Sequence, residues 1–239
     1  MQNRVIDLFA GCGGFSIGFE QAGFKINKAV EIDKQISLSY KKNHLDTLMI
    51  NQDIGAIDNN EFFSEKEAEV IIGGPPCQGF SMAGARIRDS NFIDDPRNYL
   101  FRHYVNIVKI VKPKVFLFEN VKGILSMKQG KIFQEIISNL SDKNNFGGVQ
   151  YHIYHKILNS NNYGIPEKRE RVIIIGVQKE IDLDKLEVTV KEKILKKIPH
   201  FFDMVTVKDA IFGLPEPSDD GTINGVKPIS EFQKYLQGL

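Results

Sequence analysis

The chain is poor in cysteine, lacks any long apolar run and carries almost no net charge. Its 239 residues include two cysteines, Cys12 and Cys77. A disulfide-stapled scaffold needs more than that, so a reducing cytoplasm is expected. No apolar stretch approaches the ~20 residues of a membrane-spanning helix. Met1-Gln2-Asn3-Arg4 leads straight into an apolar strand, so no signal peptide is expected either. Lys and Arg number 31 against 30 Asp and Glu, a formal charge of +1, so basic character is only local. Lys168, Arg169 and Arg171 share one loop and suit phosphate groups, whereas Lys191, Lys193, Lys196 and Lys197 follow at the spacing of a solvated helix face. There is no internal repeat. His152 and His155 lie in a segment that alternates like a strand and lacks further ligands, so no metal is expected.

What the chain does have is concentrated in a few loops. The apolar run Val70-Ile71-Ile72 stops at Gly73-Gly74-Pro75-Pro76, and Cys77-Gln78-Gly79-Phe80-Ser81 follows at once. The run reads as a buried strand and the Gly/Pro cluster as a stiff loop at its carboxyl end. In open α/β sheets that edge carries ligands and chemistry, which makes Cys77 a candidate nucleophile. The competing reading is a small hydrophobe filling a corner.

The first segment, Arg4 to Gly18, is an apolar strand, a glycine turn and a helical pattern through Phe15, Phe19 and Ala22 that ends at Gly23. A second strand, Ile26 to Val30, runs into Glu31-Ile32-Asp33, and Glu31 stands twenty residues after Gly11. That is the separation at which a dinucleotide fold puts an acid on a ribose. The turn is not G-x-G-x-x-G and brings no phosphate-binding lysine, so a nucleoside cofactor without a pyrophosphate fits better than NAD. The alternative is a tight strand-helix turn followed by a surface acid.

Strands are expected near 3–9, 26–31, 47–51, 69–73, 114–118, 151–158 and 171–177, and helices near 14–22, 33–43, 98–111 and 129–141. This alternation predicts an α/β fold, a mostly parallel sheet covered on both faces in one domain with a sizeable core. The long connection from 75 to 97 suits an active-site loop, and 213–228, rich in Gly, Pro, Asp and Ser, reads as a linker.

These residues resemble the catalytic part of the DNA (cytosine-5) methyltransferases. The matching pieces, in family order, are Asp7 to Gly14, Glu31-Ile32-Asp33, Asp53-Ile54, Gly74 to Ser81, Asp95 to Phe101, Phe118-Glu119-Asn120-Val121, and Asn162 to Pro166 with Arg169-Glu170-Arg171-Val172. They run from residue 3 to about 177, roughly three quarters of the chain. The resemblance implies a Rossmann-like methyltransferase fold with a seven-stranded sheet, S-adenosyl-L-methionine as cofactor, no metal, and duplex DNA as substrate.

It also implies roles. Cys77 adds to carbon 6 of a cytosine and makes carbon 5 nucleophilic. Glu119 holds the proton at N3 and the exocyclic amine, and the competing reading is a strand-end acid paired with a lysine such as Lys122. Asn120 orients the Pro-Cys loop, with Gln78, Gly79 and Ser81 on the substrate side. Arg169 and Arg171 alternate and bind the base O2 and a phosphate. A stacked base is out of reach, so base flipping is implied. For the cofactor, Phe9 and Ile32 flank the adenine, Glu31 takes the ribose, and Asp53 accepts from the adenine amine beside Ile54. Ala10, Gly11, Cys12, Gly13 and Gly14 bring backbone to the methionine part, while Pro75 and Leu100 complete the wall.

Two departures stand out. Glu167 occupies a position where the family usually has Gln. The family also continues into a target-recognition domain and returns with a Gly-Asn-Ser-Val type segment, which is not found here. The expectation is therefore the catalytic subunit of a split enzyme of a bacterial or phage restriction-modification system. Residues 1–212 form its catalytic and cofactor-binding domain, and 213–239 lead toward a recognition domain on a second polypeptide. A tRNA cytosine methyltransferase and an inactive cofactor-binding or regulatory fragment are the alternatives.

Overall fold

The computed structural model describes residues 3–76, 99–179 and 206–212, together with 228, 230, 233 and 234. The described residues divide between two compact units. One runs to Ile157 and resumes at Arg171; the other holds Leu158–Glu170 and the residues from 206 onward.

The first unit is built on a seven-stranded sheet. Its strands are β1 (Arg4–Leu8), β2 (Lys25–Val30), β3 (Leu48–Ile50), β4 (Val70–Gly73), β5 (Val115–Val121), β6 (His152–Asn159) and β7 (Glu170–Val177), in the order β3-β2-β1-β4-β5-β7-β6. β1 pairs in parallel with β2 and β4, as do β2 with β3 and β4 with β5, whereas β7 runs antiparallel to β5. The mostly parallel α/β sheet expected from the alternation is the one observed. Chain direction across the sheet reverses between β1 and β4, so the carboxyl ends of these strands form the crevice where such folds bind ligands. Because β7 is antiparallel, its first residues lie at that same edge.

Period-two alternation explains the packing. Ile6 and Leu8 of β1, Ile71 of β4 and Phe116 and Phe118 of β5 point into one cluster, while Val5, Val70 and Ile72 point into the other. α4 (Phe101–Val111) and α5 (Lys131–Ser141) cover the first face. Their apolar residues Phe101, Tyr104, Val105 and Val108, and Ile132, Ile136 and Leu140, recur at helical spacing. On the second face Phe15 and Phe19 of α1 (Gly14–Gln21) pack against Val5 and Ile26. α2 (Lys34–Asn43) buries Tyr40 with Ala10, Ala29 and Met49. Asp33 starts α2 as its N-cap, accepting from the N–H groups of Gln35 at 2.8 Å and Ile36 at 2.9 Å. α3 (Asn59–Phe62) is a single turn capped by Asp58.

In the second unit Asn159 caps a 3-10 turn over Ser160–Tyr163. Ser160 there ties back to Arg169, its N–H donating to the Arg169 carbonyl at 3.0 Å. α6 (Val207–Ile211) opens on a capping box between Thr206 and Asp209.

Candidate active site

The backbone leaves ordinary strand geometry sharply at the end of β1. Phe9 has φ 58, Gly11 φ 56 and Gly13 φ 93, three left-handed residues in five. A left-handed phenylalanine is costly, and such outliers cluster at functional sites. The turn is held from β2: Glu31 Oε2 accepts from the Gly11 N–H at 3.0 Å, and Glu31 Oε1 accepts from the Asp33 N–H at 2.9 Å. An ionised carboxylate has about four lone-pair sites, so two further donors can still be received. Asn51, after β3, donates to the carbonyls of Glu31 at 2.8 Å and Ile32 at 3.1 Å. Asp53 is exposed, with Oδ1 accepting from the Gly55 N–H at 2.9 Å.

Burial separates the apolar members of this edge. Ile32 is 65% exposed, whereas Ile54 is 4% exposed and belongs to the core. Phe9 and Leu100 are half-buried and pack on that core; Pro75 is buried, Cys12 exposed. An aliphatic side chain left open between two acids, beside a glycine turn, suits a nucleoside: a surface for the base and acceptors for hydroxyl and amino groups.

Buried under the turn is an acid. Asp7 is 1% exposed; its Oδ2 accepts from Ser16 Oγ at 2.7 Å, and Ser16 Oγ lies 2.7 Å from Tyr40 Oη. Burial raises its pKa from the ordinary 3.8 to about 7, against the Ser16 hydrogen bond and with the help of the nearby Glu31 charge. Burial likewise raises the Tyr40 hydroxyl well above its ordinary value.

A second group gathers where β4, β5 and β7 end. Asn120 is buried and donates from Nδ2 to the Pro75 carbonyl at 3.0 Å, while its Oδ1 accepts from the Val121 N–H at 2.8 Å. Its side chain thus grips the backbone just before Pro76. Arg171 Nε stands 2.9 Å from Glu119 Oε1. The register puts Glu119 opposite Ile173 and Val121 opposite Arg171, so the pair is diagonal on one face of the sheet. A Cβ on Gly74 would come within 2.9 Å of Glu119 Oε2. The carboxylate therefore lies against the glycine that opens the Pro-Pro loop. Arg169 belongs to the second unit, its Nη1 3.9 Å from Glu167 Oε1. Cys77, Gln78, Gly79 and Ser81 lie outside the described residues, as do most of the 75–97 connection, the lysine run from Lys191 and nearly all of 213–239.

Two features escaped the sequence reading. One is the Arg171–Glu119 pair, which depends on an antiparallel register. The other is the support of the glycine turn by Tyr40, Asn43 and His44. The only trace of that support in the sequence is a polar i, i+3, i+4 set at the end of a helical pattern.

With this geometry in place, the comparisons become specific. A family model for C-5 cytosine-specific DNA methylases matches residues 3–236, and the chain belongs to that family. The Type II methyltransferase M.DdeI of Desulfomicrobium norvegicum is 37% identical over 239 residues, 99% of this chain and 54% of that protein. M.AquIA of Picosynechococcus, also a Type II methyltransferase, is 37% identical over 183 residues, 74% of this chain and 72% of that protein. The crystal structure of a DNA modification methyltransferase encoded within an E. coli prophage superposes with TM-score 0.70 at 32% identity, covering 98% of this chain and 63% of that one. The chain thus spans about half to two thirds of the length of most of these relatives. Among the described residues no helix is long and apolar enough to cross a membrane.

Proposed function

We propose that this chain transfers a methyl group from S-adenosyl-L-methionine to carbon 5 of a flipped cytosine in duplex DNA. The observation that carries the reading is the Glu119 carboxylate, paired with Arg171 at 2.9 Å and lying against Gly74, at the entrance to the Pro-Pro-Cys loop. Cytosine carbon 5 is a poor nucleophile. In the proposed reaction the Cys77 thiolate adds to carbon 6, and carbon 5 becomes enamine-like. Glu119 keeps a proton at N3, so the ring does not have to carry the negative charge. Arg171 fixes the carboxylate's direction as a planar donor. Asn120, by holding the Pro75 carbonyl, sets the path on which the chain enters Cys77. Arg169 is assigned to DNA phosphate, and Gln78, Gly79 and Ser81 to the substrate side of the loop.

The bound cofactor supplies an electrophilic methyl group on sulfonium. Glu31 would receive the ribose hydroxyls on its remaining lone pairs, Phe9 and Ile32 would flank the adenine, and Asp53 would accept from its amino group. Ala10 to Gly14 would carry the methionine part, with Pro75 and Leu100 as wall.

The proposal extends to organisation. Residues 1–212 are assigned as the catalytic and cofactor-binding domain and 213–239 as the lead toward a recognition region on a second polypeptide. Support comes from the motifs of the family resemblance, which run from residue 3 to about 177. The Type II relatives, all bacterial among those named, support a restriction-modification role in a bacterial or phage-infected cytoplasm. Labelled methyl transfer to DNA tests the reading. The 239-residue chain with the completing polypeptide should methylate specific cytosines, and the chain alone should do so weakly or not at all. Efficient sequence-specific transfer by the chain alone would remove the second polypeptide from the account. Transfer to tRNA rather than DNA would overturn the substrate.

A further inference from the structure

The glycine turn after β1 is held from behind by the last turn of α2. Asn43 Nδ2 donates to the Cys12 carbonyl at 3.3 Å, and Tyr40 Oη meets Ser16 Oγ at 2.7 Å. Between them lies His44, 3% exposed, its ring 4.4 Å from that of Tyr40. Its Nδ1 is 2.9 Å from Glu20 Oε2. A carboxylate only accepts, so Nδ1 carries the proton donated to it, and in the neutral imidazole Nε2 then carries the lone pair. That Nε2 is buried and has no hydrogen-bond partner among the described residues. It is aimed at the turn: a Cβ on Gly13 would sit 2.1 Å from it. Gly13 is thus glycine for two reasons, its left-handed φ of 93 and the imidazole pressed against it.

Gly13 is also the N-cap residue of α1 and supplies no side-chain cap. The first N–H groups of a helix lack acceptors within it, and the positive end of the helix favours a lone pair over an N–H. The Gly13 N–H itself donates to the Ala10 carbonyl at 3.0 Å, and His44 Nε2 stands behind the turn, on the α-carbon side of Gly13, without a partner among the described residues. A buried acceptor left without a partner is costly, and none of the described residues partners this one.

We propose that His44 is a positioning residue for the cofactor: oriented by Glu20, it holds the Gly13-Gly14 backbone in the shape that receives the amino-acid end of the S-adenosyl group, and its Nε2 gains its hydrogen bond when that end is bound. This rests on the cofactor reading above and adds to it an outer layer that touches neither cofactor nor base.

Two ligands separate this role from general support of the fold. S-adenosylhomocysteine has both the nucleoside and the amino-acid end; methylthioadenosine lacks the latter. His44→Phe keeps a ring but removes the acceptor, and should weaken S-adenosylhomocysteine about five- to tenfold, as one lost hydrogen bond does. Methylthioadenosine should stay within about twofold. His44→Gln, which can return an acceptor near the Nε2 position, should recover most of the loss. In the parent protein the His44 Nε2 nitrogen resonance should move on saturation with S-adenosylhomocysteine and not with methylthioadenosine. Equal weakening of both ligands by His44→Phe, or unchanged S-adenosylhomocysteine affinity, would overturn the proposal. If His44→Phe does not fold, the parent resonance decides, and its failure to move overturns the proposal equally. Failure of the cofactor reading looks different: the parent then binds neither ligand.

Discussion

Arg171 Nε and Glu119 Oε1 are 2.9 Å apart, on neighbouring strands whose antiparallel register puts them diagonally opposite each other. Both side chains remain about a quarter exposed, at 24% and 22%, so the pair lies at the edge of the sheet rather than sealed inside it. Glu119→Gln keeps the shape and loses the proton-holding group, so single-turnover methyl transfer should fall by ~10²–10⁴ while S-adenosylhomocysteine affinity stays nearly intact. Equal rates for variant and parent would take Glu119 out of the mechanism.

Gly74→Ala tests the same carboxylate from the other side. The new Cβ would come 2.9 Å from Glu119 Oε2, closer than real contacts allow. Oε2 is the far end of a flexible side chain, so the carboxylate can yield by moving from its place beside Arg171. Methyl transfer should drop about tenfold, the effect of ~1.4 kcal/mol lost at the transition state, with a small change in thermal midpoint. An unchanged rate would mean that the position of the Glu119 carboxylate does not matter.

Glu31→Ala should weaken S-adenosylhomocysteine roughly ten- to a hundredfold, the effect of losing a charged acceptor worth ~1.5–3 kcal/mol. Because Glu31 also receives the Gly11 and Asp33 N–H groups, the thermal midpoint should fall as well. Calorimetric titration with unchanged affinity would contradict the ribose assignment.

Asp7 gives a pH signature. Burial lifts its pKa from 3.8 to about 7, so between these values the folded chain keeps a proton that the unfolded chain releases. Its contribution to stability is therefore fully present below about pH 4 and is lost as pH rises toward 7, by at most ~1.4 kcal/mol per pH unit. Asp7→Asn should flatten that slope in thermal melts from pH 4 to 8 and stabilise the protein at the upper end. A parallel shift of the whole curve would mean that Asp7 is ionised throughout.

Most of the fold was legible because periodicity and punctuation agreed. The expected strands and helices of the described core lie within a few residues of those observed. The expected fifth strand, 114–118, was too short: β5 runs on to Val121. Glu119 and Asn120 are poor strand formers, held in the sheet by pairing with Ile173 and Val172. The four-residue α3 is too short for any period to show. The site motifs were visible as spacing, but partners were not. Lys122 was the competing partner for Glu119 by proximity in sequence, and register brings Arg171 to within 2.9 Å of it. His44 left only the trace of a polar helical spacing with Tyr40 and Asn43, because its meaning comes from a fold that brings α2 behind Gly13.

The central claim is covalent chemistry at Cys77, and trapping tests it most directly. The chain, with and without the proposed second polypeptide, is incubated with S-adenosylmethionine and duplex DNA carrying 5-fluorocytosine at the target position, then denatured. Fluorine at carbon 5 prevents the proton loss that releases the enzyme. The account expects a denaturant-stable protein–DNA adduct that maps to Cys77 and is absent from Cys77→Ser. An adduct that survives Cys77→Ser would contradict it.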